Sequence, residues 1–304
     1  MGFKVLILGS GSALPTNHRN PTAQYIFCNN RHILIDCGEG TQIQLRKNKV
    51  RLQKIDTILI SHLHGDHYFG LVGLISTMHL LGRDRDLTIY GPDPLEKIVR
   101  MQLEIEGYPL GFKINFVSIN GDSAKEIYRD NAIIIRTFPL NHRIPTNGFV
   151  IEETPKKLKI NKFLFELDKV PIPAAQLFKM SQNYVSNSGQ EYSYERYTQA
   201  PDKSFKYAYC SDTKYDESII EHIAGASLLY HEATFANDMK DRARQTYHST
   251  AEQAATIAKK AKVSKLLLGH LSARYGAVYT HLDEAKAVFE NTYVVNDGDE
   301  IVLY

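Results

Sequence analysis

Over the first sixty residues, apolar side chains gather in short runs at 3–9 (FKVLILG), 23–28 (AQYIFC), 32–36 (HILID) and 55–60 (IDTILI), each bounded by Gly, Asn or Asp. Runs of this length, rich in β-branched residues and closed by turn formers, predict strands. Apolar residues recur at three- and four-residue spacing over 39–48, 66–80, 93–106, 249–260 and 282–290, which predicts helices. Further strands are expected over 86–90, 113–118, 131–138, 205–210, 226–231, 264–269 and 292–295. Strands in succession, then strands alternating with helices, imply an α/β chain of layered sheets covered by helices.

The rhythm breaks over 154–204, which holds eight Lys or Arg against five Asp or Glu, four prolines and seven Phe or Tyr. A stretch of this length without a clear period is a functional insertion, a small subdomain or a disordered segment. One reading is a subdomain whose aromatics, Phe163, Phe165 and Phe178 among them, pack into a core. The other is a protruding arm whose basic and aromatic residues meet a polyanion.

Composition narrows the picture. At 304 residues and 43% hydrophobic content the chain can bury a large core unaided. Lys plus Arg number 36 and Asp plus Glu 34, so the net charge of +2 supplies no overall basic field, and an acidic partner would have to be held by a local patch. Cys28, Cys37 and Cys210 are odd in number, far apart and without a C-x-x-C pair, which argues against a disulfide framework or a thiolate metal knuckle and for a reducing cytoplasm. No apolar run approaches the roughly 18 residues that span a bilayer, and the opening residues lack the pattern of a signal peptide, so no membrane association is expected. The turn from Gly9 to Leu14 resembles a dinucleotide fingerprint only briefly. Leu14 stands where its third glycine should be, Pro15 follows, and Asp36 comes later than a ribose-binding acid would.

The strongest chemical signal is Ser61-His62-Leu63-His64-Gly65-Asp66-His67, directly after IDTILI and before a helical stretch. Alternate side chains of an extended segment point the same way, so His62 and His64 can grip one metal ion. Asp66 and His67, where the chain turns into the helix, can face a second, with Gly65 expected to permit a sharp turn between the pairs. Three histidines and an aspartate in six residues are hard to explain as packing, because each would bring an unpaired polar group into the core. His142, Asp212 and His270 each follow an apparent strand. Any one alone could be an ordinary surface residue, but strand ends converging on one rim are where α/β proteins build sites. His142 can then complete the first metal, His270 the second, and Asp212 bridge them.

HLHGDH with a later lone His, an SDT aspartate, HEATF at 231–235, HST at 248–250, SARY at 272–275 and PTNHRN at 15–20 together resemble ribonuclease Z in its short form, a tRNA 3′-processing endonuclease family of the metallo-β-lactamase superfamily. The resemblance runs from about Leu8 to Tyr279. It implies an αββα four-layer sandwich formed by one domain over 1–304, with an inserted arm at 154–204. It assigns His62, His64 and His142 to one zinc ion, Asp66, His67 and His270 to another, and Asp212 to both; manganese or another divalent metal would suit the same donors. Asp66 is also the implied general base, His248 the proton donor to the leaving 3′ oxygen, and Glu232 the group that orients His248. Arg19 and Asn20 fall in the family's loop near the acceptor end of tRNA. Lys156, Lys157, Lys159 and Lys162 fall in the arm, where the family binds tRNA, although the usual Gly-Pro motif is replaced by VPIPAAQLF. The implied activity is zinc-dependent removal of the 3′ trailer from precursor tRNA, by a cytoplasmic homodimer, leaving a 3′ hydroxyl on the tRNA and a 5′ phosphate on the trailer. The alternative is a hydrolase of small phosphodiesters, sulfate esters or thioesters on the same fold.

Overall fold

The computed structural model describes every residue except Met1, Glu106 and Tyr108. The last residue of the helix expected over 93–106 therefore lies outside the described residues, and the helix is observed as Pro94–Ile105. The described chain forms two compact units, one from residues 1–152 and 205–304, the other from Glu153–Ser204.

The larger unit is built on two seven-stranded sheets. The first holds β1 (Phe3–Gly9), β2 (Ala23–Cys28), β3 (Arg31–Ile35), β4 (Thr57–Leu59), β5 (Leu87–Gly91), β6 (Ile114–Ser118) and, on the far side of β1, the last strand β14 (Glu300–Leu303). The second runs from β7 (Lys125–Arg129) through β8 (Ile133–Leu140), β9 (Thr146–Glu153), β10 (Lys206–Cys210), β11 (Leu228–Glu232) and β12 (Leu266–Gly269) to β13 (Thr292–Val294). From β3 to β6, and from β10 to β13, neighbouring strands are parallel.

Alternation along single strands explains the layering. Val5 and Ile7 of β1 join a core with Ile26, Ile33, Phe149, Ile151, Tyr207 and Tyr209, drawn from both sheets. Leu6 and Leu8 point the other way, to a second core with Leu71, Leu74, Ile75 and Met78 of the helix Leu71–Leu80. On the second sheet, Ala208 and Cys210 meet Ala251, Ala254, Ala255 and Ala258 of the helix Ala251–Lys260. Strands apolar on both faces are the reason the sequence shows near-continuous hydrophobic runs. The result is four layers, helix, sheet, sheet, helix. No helix among the described residues is long and apolar enough to cross a membrane.

Two local expectations are corrected. The helix expected over 66–80 is broken into Gly65–Tyr68 and Leu71–Leu80. Gly70 lies at the break, where its N–H bonds the Cys37 carbonyl and a Cβ would fall 2.2 Å from the Gly38 oxygen. Gly65 has no positive φ, so it does not serve a left-handed turn; its Cβ would instead meet the Phe69 ring at 2.2 Å.

The smaller unit has a core of its own. Val170, Ala174, Phe178, Tyr192 and Tyr197 are buried together, with Phe165 partly buried against them and the Phe178 and Tyr197 rings stacked at 5.5 Å. Lys159–Ile160 pairs with Thr198–Gln199, and the Asp168 carboxylate takes hydrogen bonds from Tyr197 and Arg196. Phe163 departs from the packed role expected for it: it is 72% exposed, and Leu167 and Ile172 of the same unit are exposed as well. Because Phe178 is fully buried in so small a core, Phe178→Ala should cost about 3–5 kcal/mol locally. Limited proteolysis should then cut within 153–204 while the two-sheet unit stays resistant; equal loss of both units would show that they fold as one.

Candidate metal centre

Every sequence-selected metal ligand lies just beyond the end of a strand in the larger unit. His62, His64, Asp66 and His67 follow β4, His142 follows β8, Asp212 follows β10 and His270 follows β12. Asp212 and His270 both have φ in the left-handed region, at 58° and 54°. Asp and His are among the few residues other than Gly that accept this conformation, and held strain of this kind concentrates at functional sites. At Asp212 and His270 the chain turns sharply at the residue itself, just after β10 and β12.

The ligands fall into two groups sharing one carboxylate. His62 Nε2 lies 3.0 Å from His64 Nδ1, which is 3.2 Å from His142 Nε2, and Asp212 Oδ2 is 3.6 Å from both His62 and His142. On the other side, Asp212 Oδ1 is 3.2 Å from His67 Nε2 and 3.1 Å from His270 Nε2, and Asp66 Oδ2 is 3.5 Å from each. Ligand atoms around a tetrahedral cation at about 2.0–2.1 Å stand roughly 3.3 Å apart. The measured spacings match that geometry. The buried Nε2 atoms of His67 and His270 make no hydrogen bond among the described residues, as cation-facing nitrogens would. The residues present therefore form two groups whose donors fit divalent cations, with Asp212 reaching both.

Protonation states point the same way. Burial, then the neighbouring His67, press the His62 imidazole well below its usual value, and burial lowers His64 and His142. Burial opposes ionisation of Asp212, yet His270, His67 and His62 hold it well below the ordinary carboxylate range. Neutral imidazoles around a carboxylate are the forms that ligate metal. Burial likewise works against a charge on His67, but Asp212, Asp66 and Asp36 overcome it and draw positive charge strongly to that position.

The outward nitrogens of four of the five candidate histidine ligands are held. His62 Nδ1 meets Ser61 Oγ at 3.0 Å, His142 Nδ1 donates to the Tyr247 carbonyl at 3.0 Å, and His270 Nδ1 meets Thr234 Oγ1 at 3.0 Å. His67 Nδ1 pairs with Asp36 Oδ2 at 2.8 Å. Asp36, which the sequence pattern offers only as an acid too late for ribose binding, is thus a partner of the site. It is fully buried directly after β3 with φ of 56°, and its signal in the sequence was an acidic residue ending an apolar strand.

His248 stands beside the second group, its ring 5.5 Å from that of His270. Its Nδ1 is 2.9 Å from Glu232 Oε1, while Glu232 also takes the Thr213 N–H at 2.8 Å and the Thr234 hydroxyl at 2.6 Å. Glu232 is thus both a backbone-bonded buried acid and the partner of His248. Burial alone would lower the His248 pKa, but the Glu232 carboxylate outweighs it and the group is pushed up to about 9. Thr250 closes a capping box with Gln253 at the start of the helix Ala251–Lys260, which fixes the backbone just after His248.

Arg19 and Asn20 are held by hydrogen bonds within the larger unit. Arg19 donates to Ser10 Oγ, the Val295 carbonyl and Asn296 Oδ1, and Asn20 donates to Asp297 through its backbone and its side chain. These donors tie the 15–20 loop to the body of the larger unit. In the smaller unit, Lys156 pairs with Glu153 and Lys159 with Asp202, while Lys157 and Lys162 are exposed.

Comparison with known proteins agrees with the geometry. The chain is 42% identical over 296 residues to a ribonuclease Z of Bacteroides fragilis, covering 97% of each chain. It is similar in structure to human tRNase Z, short form, with a TM-score of 0.71 and 26% identity over 98% of each chain. The metallo-β-lactamase fold protein YhfI of Bacillus subtilis superposes with a TM-score of 0.71 at 20% identity, covering all of both chains, and carries the fold alone. A family model described as anti-Pycsar protein Apyc1 matches residues 3–106.

Because Asp36 holds the outward nitrogen of His67, Asp36→Ala should lower metal affinity about 10- to 100-fold, read by competition with a graded chelator. An unchanged affinity in a folded variant would show that Asp36 serves the core alone.

Proposed function

The chain belongs to the ribonuclease Z family, and on that premise we propose that it is an endoribonuclease that removes the 3′ trailer from precursor tRNA. The observation that carries the reading is a bridged pair of cation-sized ligand groups with a histidine–carboxylate pair beside them. The cations are proposed to be two zinc ions, with His62, His64, His142 and Asp212 holding one and Asp66, His67, His270 and Asp212 the other. When bound they lower the pKa of water and offset charge on the phosphate oxygens.

The chain's own residues supply the proton transfers. Asp66 Oδ2 is anchored by the Ala13 N–H at 2.9 Å, which keeps its carboxylate at the site to take a proton from the attacking water. The water oxygen bonds to phosphorus and the bond to the 3′ oxygen breaks. That oxygen takes its proton from His248, which Glu232 keeps charged and oriented. The products are a 3′ hydroxyl on the tRNA and a 5′ phosphate on the trailer. On family grounds the enzyme works as a cytoplasmic homodimer.

The unit over 153–204 is proposed as a tRNA-binding arm, because it exposes Lys157 and Lys162 together with Phe163 and none of its residues belongs to the metal groups. Replacing Lys156, Lys157, Lys159 and Lys162 by Ala should weaken tRNA binding and flatten its salt dependence. An unaltered salt slope would remove the arm from the binding surface.

The central test is incubation with a 3′-extended precursor tRNA, mapping both product ends. Chelation should abolish cleavage, and His64→Ala and Asp212→Ala should lose metal. His248→Ala should keep both metals yet lose about 10²- to 10⁴-fold in rate. The donor must be protonated, so activity should fall above about pH 9. Glu232→Gln removes the charge that raises His248, so the alkaline limb should move to lower pH. Metal loss in His248→Ala, or an unmoved limb in Glu232→Gln, would overturn these roles.

A further inference from the structure

Beside His248 the larger unit opens into a groove of about 900 Å³ that the metal chemistry does not use, lined by Lys214, Lys240, Arg244 and Tyr247 as well as by His248. Three of these side chains are cations, and Asp241 is the one acid among the lining residues. Tyr247 is half-buried with φ of 61°, and its carbonyl is fixed by His142 Nδ1 at 3.0 Å, so its ring is carried on a backbone anchored to the metal centre. Lys214 Nζ lies 5.1 Å from the centre of that ring, and the Lys214 N–H bonds the Asn141 carbonyl, next to His142. An aromatic face with cations around it, on a fixed wall, is the combination that binds a stacked base and its phosphates.

The direction of cleavage decides which base. The proton donor has to reach the 3′ oxygen, within about 2.6–3.2 Å at the moment of transfer. With Nδ1 on Glu232, Nε2 is the nitrogen that His248 can offer. The sugar bearing the 3′ oxygen therefore lies on the His248 side, and its base extends into the groove that His248 lines. The trailer, which keeps the phosphorus, leaves past the metal ligands. We propose that this groove is the subsite for the last nucleotide retained on the tRNA, with Tyr247 as its stacking platform and Lys214, Lys240 and Arg244 as contacts for the phosphates on its 5′ side. This rests on the reading of the chain as a tRNA 3′-processing endonuclease in which His248 protonates the leaving oxygen.

The test crosses one side chain with one base. Three precursor tRNAs are compared under kcat/KM conditions: intact, abasic at the last retained nucleotide, and abasic at the first trailer nucleotide. Each is cleaved by the wild-type enzyme, Tyr247→Ala and Tyr247→Phe, all with metal content measured. Loss of one base stack should lower kcat/KM about 5- to 150-fold. Tyr247→Ala and the abasic retained nucleotide should each cause that loss, and the two together should cost no more than either alone. Tyr247→Phe should behave as wild type, and the trailer abasic site should act independently of residue 247. Lys240→Ala with Arg244→Ala, both at exposed positions, should flatten the salt dependence of KM whatever the fate of the tyrosine variants. Coupling of Tyr247 to the trailer base would assign the groove to the trailer and overturn the proposal. Full additivity with both bases, or an unchanged salt slope, would overturn it as well. Failure of the wild-type enzyme to cut the intact precursor would instead overturn the functional reading on which the proposal rests.

Discussion

A buried carboxylate with no solvent must be compensated on all sides, and that requirement, at Asp36, joins the two sheets to the metal centre. Asp36 is fully buried. It accepts the Ser61 N–H at 2.7 Å, the Ser61 hydroxyl at 2.9 Å and the Tyr209 hydroxyl at 2.7 Å, and pairs with His67 Nδ1. Ser61 opens the ligand loop after β4, and Tyr209 belongs to β10 of the opposite sheet. One side chain therefore sets the distance between the sheets, the course of the ligand loop and the tautomer of a ligand. Leaving such a group partly unpaired is costly in a low-dielectric interior, so the loop and the sandwich are held in register by the same bonds.

The rest of the centre repeats this logic with weaker partners. Thr234 joins His270 to Glu232, Glu232 joins His248 to the backbone beside Asp212, and Tyr247 joins His142 to the segment that carries His248. The candidate ligands and His248 are thus mechanically connected at several points. Supporting bonds of this kind fix ring orientation and basicity as much as the ligands themselves do. The left-handed residues at three strand ends, Asp36, Asp212 and His270, aim these groups without lengthening the loops.

What was legible in the sequence was what carries a period or a dense chemical signature. Eleven of the fourteen strands in the two sheets read as apolar runs, and the candidate ligands stand out where such runs end at His or Asp, whereas Lys125–Arg129, Thr146–Glu153 and Glu300–Leu303 escape that reading. The strand Thr146–Glu153 was missed because its first residues are polar. Thr146 and Asn147 are nonetheless buried, the Asn147 amide bonding the carbonyls of Ser61 and Ile119. The helix Lys240–Thr246 was missed because only Ala243 faces the interior, so no apolar stripe exists to be seen. For Arg19 the residues themselves carry no signal of a role, and the expectation of a tRNA contact comes from the family resemblance alone. Its hydrogen-bond partners Val295 and Asn296 are far away in the chain and carry no local signal.

The smaller unit is inserted between β9 and β10, which are antiparallel neighbours with Glu152 directly opposite Lys206. Its two ends are therefore held side by side by the sheet, as the two ends of a hairpin loop are. Closing such a loop costs entropy that grows only with the logarithm of its length, about 0.6 kcal/mol for each doubling. Length and composition between residues 152 and 206 can thus drift widely without disturbing the register of the catalytic sheet. An atypical VPIPAAQLF in the middle of that span is what such freedom permits: the fold gives evolution a place to exchange one inserted unit for another while the strands on either side stay paired.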